Sequence, residues 1–333
     1  METKSVLIQS LCVPCFNRCR YCLLSWNGTL EGTAWDRSIA TAERFLRELR
    51  HERPDISSSF SFGYSMEHPD LRNAIRTLRR LGSPTASFLQ CDGMKMRSDT
   101  ELCELMLMLK EEELDKLNFT VYGLEEYHDR FAGRSGDYDL ILRMMKAASD
   151  AGLLFSASIP LTTENVSQAN SLVCILRDAG NDTISLFIPH EEGRGKFLSD
   201  VRLSRRDLPL LNSETRALLN ESFYRCETDW LREPQKIHEN NRHILISLRH
   251  DNIGIYETRS AISVLQEIEK LDESYYAAFP TFQELAELYG DRSGDKLYSL
   301  RDLHYHYRRV HAEKHHLNIC DIMDETRCGS RRY

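Results

Sequence analysis

Apolar positions recur along this chain in two alternating rhythms. Short runs rich in β-branched, aromatic and leucine side chains predict strands at Val6 to Leu11, Ser58 to Phe62, Thr85 to Gln90, Leu117 to Tyr122, Leu153 to Ile159 and Thr183 to Ile188. Between them the apolar period lengthens to that of an amphipathic helix, over Asp36 to His51, Pro69 to Leu81, Asp99 to Glu113, Tyr138 to Ala151 and Val166 to Ala179. From the second strand onward the strands return at intervals of roughly 30 residues, the length of one βα unit. Local signals agree with these boundaries. Pro69 suits a first helical turn, Ser98 or Asp99 can cap the third helix, and Gly82, Gly152 and Gly180 stand where helices stop.

Six such units predict an α/β fold whose parallel strands are buried on both faces by right-handed helical crossovers. An open, partial (β/α)6 TIM-type barrel fits the pattern best, with a doubly wound sheet as the alternative. Beyond about residue 200 the repeat stops, which predicts a smaller α+β unit over 201–333. There Leu203 to Glu233 reads as helical, and His243 to Tyr256 reads as a hairpin turning at Asp251-Asn252. Phe282 to Tyr289 and Leu300 to His311 again read as helices.

Composition narrows the classes of function. The chain has 333 residues, 41% of them hydrophobic, and a formal net charge of −8. That balance argues against a general binder of nucleic acid or of anionic membrane, whose affinity rests on clustered Lys and Arg. No apolar stretch approaches the roughly 20 residues of a membrane span, and Met1 to Ile8 lacks a signal-peptide core, so a cytoplasmic location is expected. The ten cysteines are read as reduced thiols.

Four of those thiols crowd together, at Cys12, Cys15, Cys19 and Cys22. The run Cys15-Phe16-Asn17-Arg18-Cys19-Arg20-Tyr21-Cys22 follows the first strand, at the end of the strand where barrel active sites are built. Soft thiolates select iron–sulfur clusters or zinc, and three of them can grip one side of a cubane while leaving one iron open. A structural zinc knuckle using all four cysteines is the alternative, although zinc sites usually pair two CxxC elements across a longer spacer. Cys12 reads as a small buried apolar residue ending the strand.

The CxxxCxxC spacing, with Tyr21 before its last cysteine, resembles the radical S-adenosylmethionine (SAM) superfamily. The likeness extends over about the first 200 residues and is nearest in pattern to enzymes whose barrels carry a C-terminal SPASM or twitch domain. It implies a [4Fe–4S] cluster on Cys15, Cys19 and Cys22. The amino and carboxylate groups of SAM would chelate the open iron, and reductive cleavage would give a 5′-deoxyadenosyl radical that abstracts a substrate hydrogen. By the same resemblance Tyr21 lies beside the adenine. Ser61 to Pro69 stands where the family has its glycine-glycine-glutamate-proline stretch, which nominates Gly63, Tyr64, Ser65 and Glu67 for SAM contacts. Gln90-Cys91-Asp92-Gly93 resembles the family's asparagine-glycine turn. Thr120-Val121-Tyr122-Gly123, with Glu126, His128, Asp129, Arg130 and Gly133-Arg134 after it, resembles the serine-x-aspartate-glycine segment, implying that Thr120 and Arg134 bind the SAM carboxylate. Tyr122 replaces the aspartate of that segment and reads as a packing residue. His128 and Asp129 read as a loop-fixing polar pair rather than an acid/base couple. Ile184 to Pro189 with Gly193-Arg194-Gly195 resembles the family's sixth strand and exit, placing Ile188 against adenine.

A full SPASM domain carries about seven further cysteines, whereas this chain past Leu203 has Cys226, Cys320 and Cys328. Glu257, in Gly254-Ile255-Tyr256-Glu257, stands where the resembling hairpin has a ligand cysteine. A degenerate, cluster-free, substrate-capping domain is therefore expected over 201–333, held by apolar packing. Histidines 304, 306, 311, 315 and 316 read as a solvated helix face rather than a metal site.

The resemblance implies an enzyme, an oxidoreductase or mutase-like catalyst acting on a ribosomal peptide or a natural-product intermediate, with flavodoxin or ferredoxin as electron donor. With no leader-binding domain ahead of the cysteine loop, a peptide substrate would need a separate carrier or recognition by the C-terminal part. A small sugar or amino-acid derivative is the second substrate class, and a non-enzymatic iron–sulfur or zinc module is the rival from another class. No residue is nominated as an acid, base or radical partner.

Overall fold

The structure is a computed structural model that describes residues 2–10, 15–22, 34–62, 65–83, 88–181, 183–191, 193–232, 241–250, 252–291, 294–317 and 329–332. Six parallel strands alternate with helices: β1 (Glu2–Ser10), α1 (Trp35–Glu52), β2 (Ser57–Phe62), α2 (Leu71–Arg80), β3 (Phe88–Gln90), α3 (Asp99–Glu111), β4 (Lys116–Thr120), α4 (Glu125–Ala132), α5 (Asp137–Asp150), β5 (Leu154–Pro160), α6 (Ala169–Asp178) and β6 (Thr183–Phe187). Then come α7 (Ser213–Arg216), β7 (Arg225–Cys226), α8 (Glu227–Arg232), β8 (Asn241–Leu248), α9 (Ile253–Thr258), α10 (Ala261–Ala277), α11 (Phe282–Tyr289), β9 (Leu297–Tyr298), α12 (Leu300–His315) and β10 (Gly329–Arg332).

The barrel strands lie in two curved segments. β3-β4-β5-β6 form one parallel sheet in chain order, while β1 and β2 pair in parallel with Val6 opposite Ser58 and Ile8 opposite Phe60. The main core joins both segments to their helices. Val6, Ile8 and Phe60 meet Phe45, Leu46 and Leu49 of α1, and Leu117, Phe119 and Phe155 lie in the same cluster as Met144 and Met145 of α5. This is the mixed α/β partial barrel that the strand period predicts, with a smaller C-terminal part against it.

Several boundaries differ from expectation for local reasons. Helix α2 starts at Leu71, because the Asp70 side chain accepts the Asn73 N–H at 3.2 Å and caps it, leaving Pro69 outside the helix. Of the two expected caps of α3, Ser98 is the one used, and it forms a reciprocal capping box with Glu101. Gly82, Gly152 and Gly180 follow their helices with positive φ. The predicted third strand is seen as Phe88–Gln90, and 84–87 lie outside the described residues. Leu203 to Glu233 is not one helix. It breaks into a 3₁₀ segment at Arg205–Leu210, α7, β7 and α8, with Pro209 inside the first of these.

The predicted hairpin at His243 to Tyr256 does not form. β8 instead extends the barrel sheet on the far side of β1, parallel to it, with Val6 opposite Ile244 and Ile8 opposite Ile246. Its described side chains are buried on both faces, the signature of a central parallel strand rather than a solvated hairpin arm. The supposed turn residue Asn252 ends the strand: its Oδ1 accepts the Arg249 N–H and its Nδ2 donates to the Ser247 carbonyl, each at 2.8 Å. Ile253–Thr258 is then helical, and Glu257 pairs with Arg37 of α1 at 2.6 Å. β10 closes the outer edge antiparallel to β8.

The histidine-bearing helix is also less solvated than expected. His311 is buried and its Nδ1 lies 2.9 Å from the Tyr289 hydroxyl, His304 stands edge-on to Phe282, and His306 faces Glu191 at 3.6 Å. Only the end of the run, at His315 and His316, is exposed. The reason is packing: α12 seats against α8 and α11 through Trp230, Phe282, Leu285, Leu303 and Tyr307, an apolar cluster separate from the main core.

Candidate functional site

Residues 15–22 lie across the mouth formed by the C-terminal ends of the strands, and their backbone is tied to three neighbouring connections. Phe16 N–H donates to the Gly93 carbonyl at 2.9 Å, in the turn after β3. Arg18 and Arg20 donate to the carbonyls of Ala132 and Phe131 at 2.6 and 3.0 Å, which satisfies acceptors left open at the end of α4. Arg194, after β6, donates to the Cys22 carbonyl at 3.0 Å. Two of these approaches need glycine. Gly93 and Gly133 both have positive φ, and a Cβ on the first would overlap Cys15 Sγ, while one on the second would press on Arg18.

Cys15 is buried, and Cys19 and Cys22 are half-buried. The Cys19 sulfur lies 3.0 Å from the Tyr122 hydroxyl. Burial pushes the Cys15 thiol up to about 11, against a hydrogen bond from the Asn17 backbone and with the charge of Asp92 adding to the rise. Burial likewise lifts Cys19 well above the usual thiol range, against the Tyr122 hydrogen bond. Such thiols resist ionising on their own, whereas a bound metal cation reverses that preference. Among the described residues no three His, Cys, Asp or Glu side chains stand close enough to form a ready metal site, so the three thiols share one loop without constituting a closed ligand set.

A buried polar network supports the loop from below. Asn17 Nδ2 donates to Asp137 Oδ2 at 2.9 Å, and Arg134 pairs with Asp137 Oδ1 and donates to the Met94 carbonyl. His128 Nδ1 accepts the Tyr122 backbone N–H at 3.0 Å, so its proton sits on Nε2, which lies 3.1 Å from Asp137 Oδ2. Burial alone would raise the Asp137 carboxyl, but the His128 hydrogen bond and the Arg134 charge outweigh it and hold the group below the ordinary carboxylate range. Asp129 accepts the N–H groups of Gly136 and Tyr138 and so fastens the start of α5. His128 thus fixes the loop after β4 and Asp129 the connection between α4 and α5, a loop-fixing pair as the sequence suggests.

The remaining nominated residues fall into three sets. Tyr21 and Thr120 stand at the mouth: Tyr21 packs against Tyr122, Phe131 and Phe187, with ring centroids 5.7, 5.7 and 6.1 Å away. Thr120 ends β4 and donates from Oγ1 to Asp92 Oδ2 at 2.7 Å. Glu67 and Ile188 are engaged elsewhere. Glu67 accepts from Arg97 at 2.5 Å and from the Lys95 N–H at 2.9 Å, and Ile188 is fully buried in the main core. Cys12, Gly63, Tyr64 and the side chain of Ser65 lie outside the described residues.

The sequence reading took Asp92 as half of a turn, and its larger role comes from the fold. It accepts the Thr120 N–H at 2.8 Å and the Thr120 hydroxyl, and burial raises its carboxyl to about 6 against those hydrogen bonds. Asp137 could not be foreseen either, since it meets Asn17 across 120 positions of chain.

A second polar cluster joins the exit of β6 to the C-terminal part. Asp302, in the first turn of α12, lies 3.1 Å from His190 Nδ1, accepts the Glu191 N–H at 3.1 Å and stands 3.6 Å from Arg202. Arg202 donates to the carbonyls of Leu297 and Pro189 at 2.7 and 2.9 Å and lies over the Tyr298 ring. Burial of Asp302 is outweighed by these partners, which hold its carboxyl well below the usual range.

Comparison with known proteins agrees with the position of the cysteine loop. Residues 11–173 match the family model of the Radical SAM superfamily. No curated protein matches the chain. Among solved structures, SuiB of Streptococcus suis bound to the precursor peptide SuiA is similar at 14% identity and a TM-score of 0.41, covering 56% of this chain and 39% of SuiB. Coproporphyrinogen III oxidase (HemN) from Escherichia coli, described as a radical SAM enzyme, is similar at 13% identity and a TM-score of 0.43, over 67% of this chain and 53% of that one. A third, anSMEcpe with bound AdoMet, has 17% identity and a TM-score of 0.45, over 63% and 56% of the two chains. The chain thus spans only about two fifths to three fifths of the length of these proteins. Its cysteine loop and the polar network beneath it fall within the matched stretch, and the chain carries a radical SAM superfamily domain over residues 11–173.

Proposed function

We propose that the protein is a radical SAM enzyme in which Cys15, Cys19 and Cys22 hold a [4Fe–4S] cluster. The observation that carries this reading is the placement of the three thiols on one loop at the C-terminal mouth of parallel strands, within the superfamily domain. The surroundings fit the group. Gly93 leaves room for the Cys15 sulfur, and the buried Arg134 Nε lacks a hydrogen-bond partner. A buried donor without an acceptor costs about 1–3 kcal/mol, which the carboxylate of SAM would relieve.

Bound there, a cluster reduced by the external donor would supply the electron that splits SAM into methionine and a 5′-deoxyadenosyl radical, which takes hydrogen from a substrate. The chain's own residues then bind and orient. Tyr21 offers an aromatic face at the mouth for the adenine. Arg134 presents its free Nε–H to the carboxylate of SAM, and Thr120 can join it only by giving up Asp92. Gly63, Tyr64 and Ser65 would contribute backbone to the amino group, while Glu67 is held by Arg97 and Ile188 serves as buried packing. The part of 201–333 that stands outside the barrel sheet, with α8, α11 and α12, serves as a cluster-free cap, seated through Asp302 and Arg202, that shapes the pocket and excludes water. The substrate class we favour is a ribosomal peptide or natural-product intermediate, with a small sugar or amino-acid derivative second, and flavodoxin or ferredoxin as the reductant.

Anaerobic reconstitution with iron and sulfide, followed by reductant and SAM, tests the proposal. Release of 5′-deoxyadenosine by the wild type, lost in Cys19→Ala without change in circular dichroism, is the expected result. Tight zinc binding with no cleavage of SAM would contradict it and favour a structural knuckle.

A further inference from the structure

Resting on the cluster reading above, we infer that Tyr122 is a positioning residue that sets the reduction potential of the cluster through a hydrogen bond to Cys19. Its hydroxyl lies 3.0 Å from Cys19 Sγ, and the side chain is 1% exposed. Nothing about the residue is loose. Its backbone N–H donates to His128 Nδ1 at 3.0 Å and its carbonyl accepts from Asn165 Nδ2 at 2.6 Å, so side chains fix the main chain on both sides. Its ring packs at 4.9 Å from that of His128 and 4.8 Å from that of Phe131, with Tyr21 edge-on at 5.7 Å. The phenol is therefore held against the sulfur by its surroundings.

The direction of the hydrogen bond follows from chemistry. A cysteine bound to iron is a thiolate and has no hydrogen to give, so the phenol must donate. Reduction adds negative charge to the cluster, and part of that charge resides on its sulfurs. A donor aimed at one of them stabilises the reduced state more than the oxidised state and raises the potential. The low-dielectric surroundings strengthen the effect. Tyr122 stands where the resembling family has an aspartate. A carboxylate in place of this phenol could not donate in its ionised form and would oppose reduction.

Tyr122→Phe keeps the ring and removes the donor. In the reconstituted 333-residue chain without SAM, a redox titration followed by electron paramagnetic resonance should give a more negative midpoint for the variant at equal iron content. Equal midpoints would overturn the inference. The wild type alone provides a second measurement that does not need the variant to fold: its reduced cluster should show a coupled proton that exchanges in deuterium oxide, and absence of that coupling would also overturn it. Failure of the wild type to assemble any cluster would instead remove the reading on which the inference stands.

Discussion

Gly93 shows how tightly single residues constrain the cysteine loop. It adopts a left-handed φ of +66° in the turn after β3, accepts the Phe16 N–H on its carbonyl, and has Cys15 Sγ in the space a side chain would fill. Alanine in that conformation costs about 1 kcal/mol from the backbone alone, and its methyl group must displace the thiol. Gly93→Ala is therefore expected to lower the melting temperature by a few degrees and to reduce iron incorporation severalfold, measured by a thermal melt and by iron and sulfide analysis. Full iron content would show that Cys15 need not stay where the fold puts it. At this scale the three cysteines were legible because their spacing is local. Asp137 and the donor role of Tyr122 were not, because each depends on a partner brought close only by the barrel.

At the scale of elements, the βα period is readable because every unit buries its strand on both faces, leaving dense apolar runs between amphipathic helices. β8 was misread because an apolar run followed by Asp251-Asn252 is equally a hairpin arm and a buried parallel strand; the deciding fact, its partner β1, lies at the other end of the chain. The histidines of α12 were misread because helical spacing shows which residues share a face, not what covers it. Asp302 gives that helix a testable role. Its partners depress its carboxyl below the unfolded value near 3.9, so the stabilisation is present above that pH and lost as pH falls through the lower folded value. Asp302→Asn should cost about 3 kcal/mol at neutral pH, measured by chemical denaturation, with the gap to wild type closing below about pH 4. A gap independent of pH would mean that the ion pairs contribute little.

Over the whole molecule, the cysteine loop is tied to the connections after β3, α4 and β6, while the C-terminal part docks through Asp302 and Arg202 beside the last of them. Among the described residues no helix is long and apolar enough to cross a membrane. The division at residue 200 read from the sequence marks the end of the βα repeat, yet the chain returns to the barrel sheet through β8. The account rests on a cluster with one iron open to SAM. Electron paramagnetic resonance of the anaerobically reduced protein, recorded with and without SAM, tests this most directly. The signal of a reduced [4Fe–4S] cluster that changes shape when SAM is added is the expected result, and a cluster signal indifferent to SAM, or none at all, would contradict it.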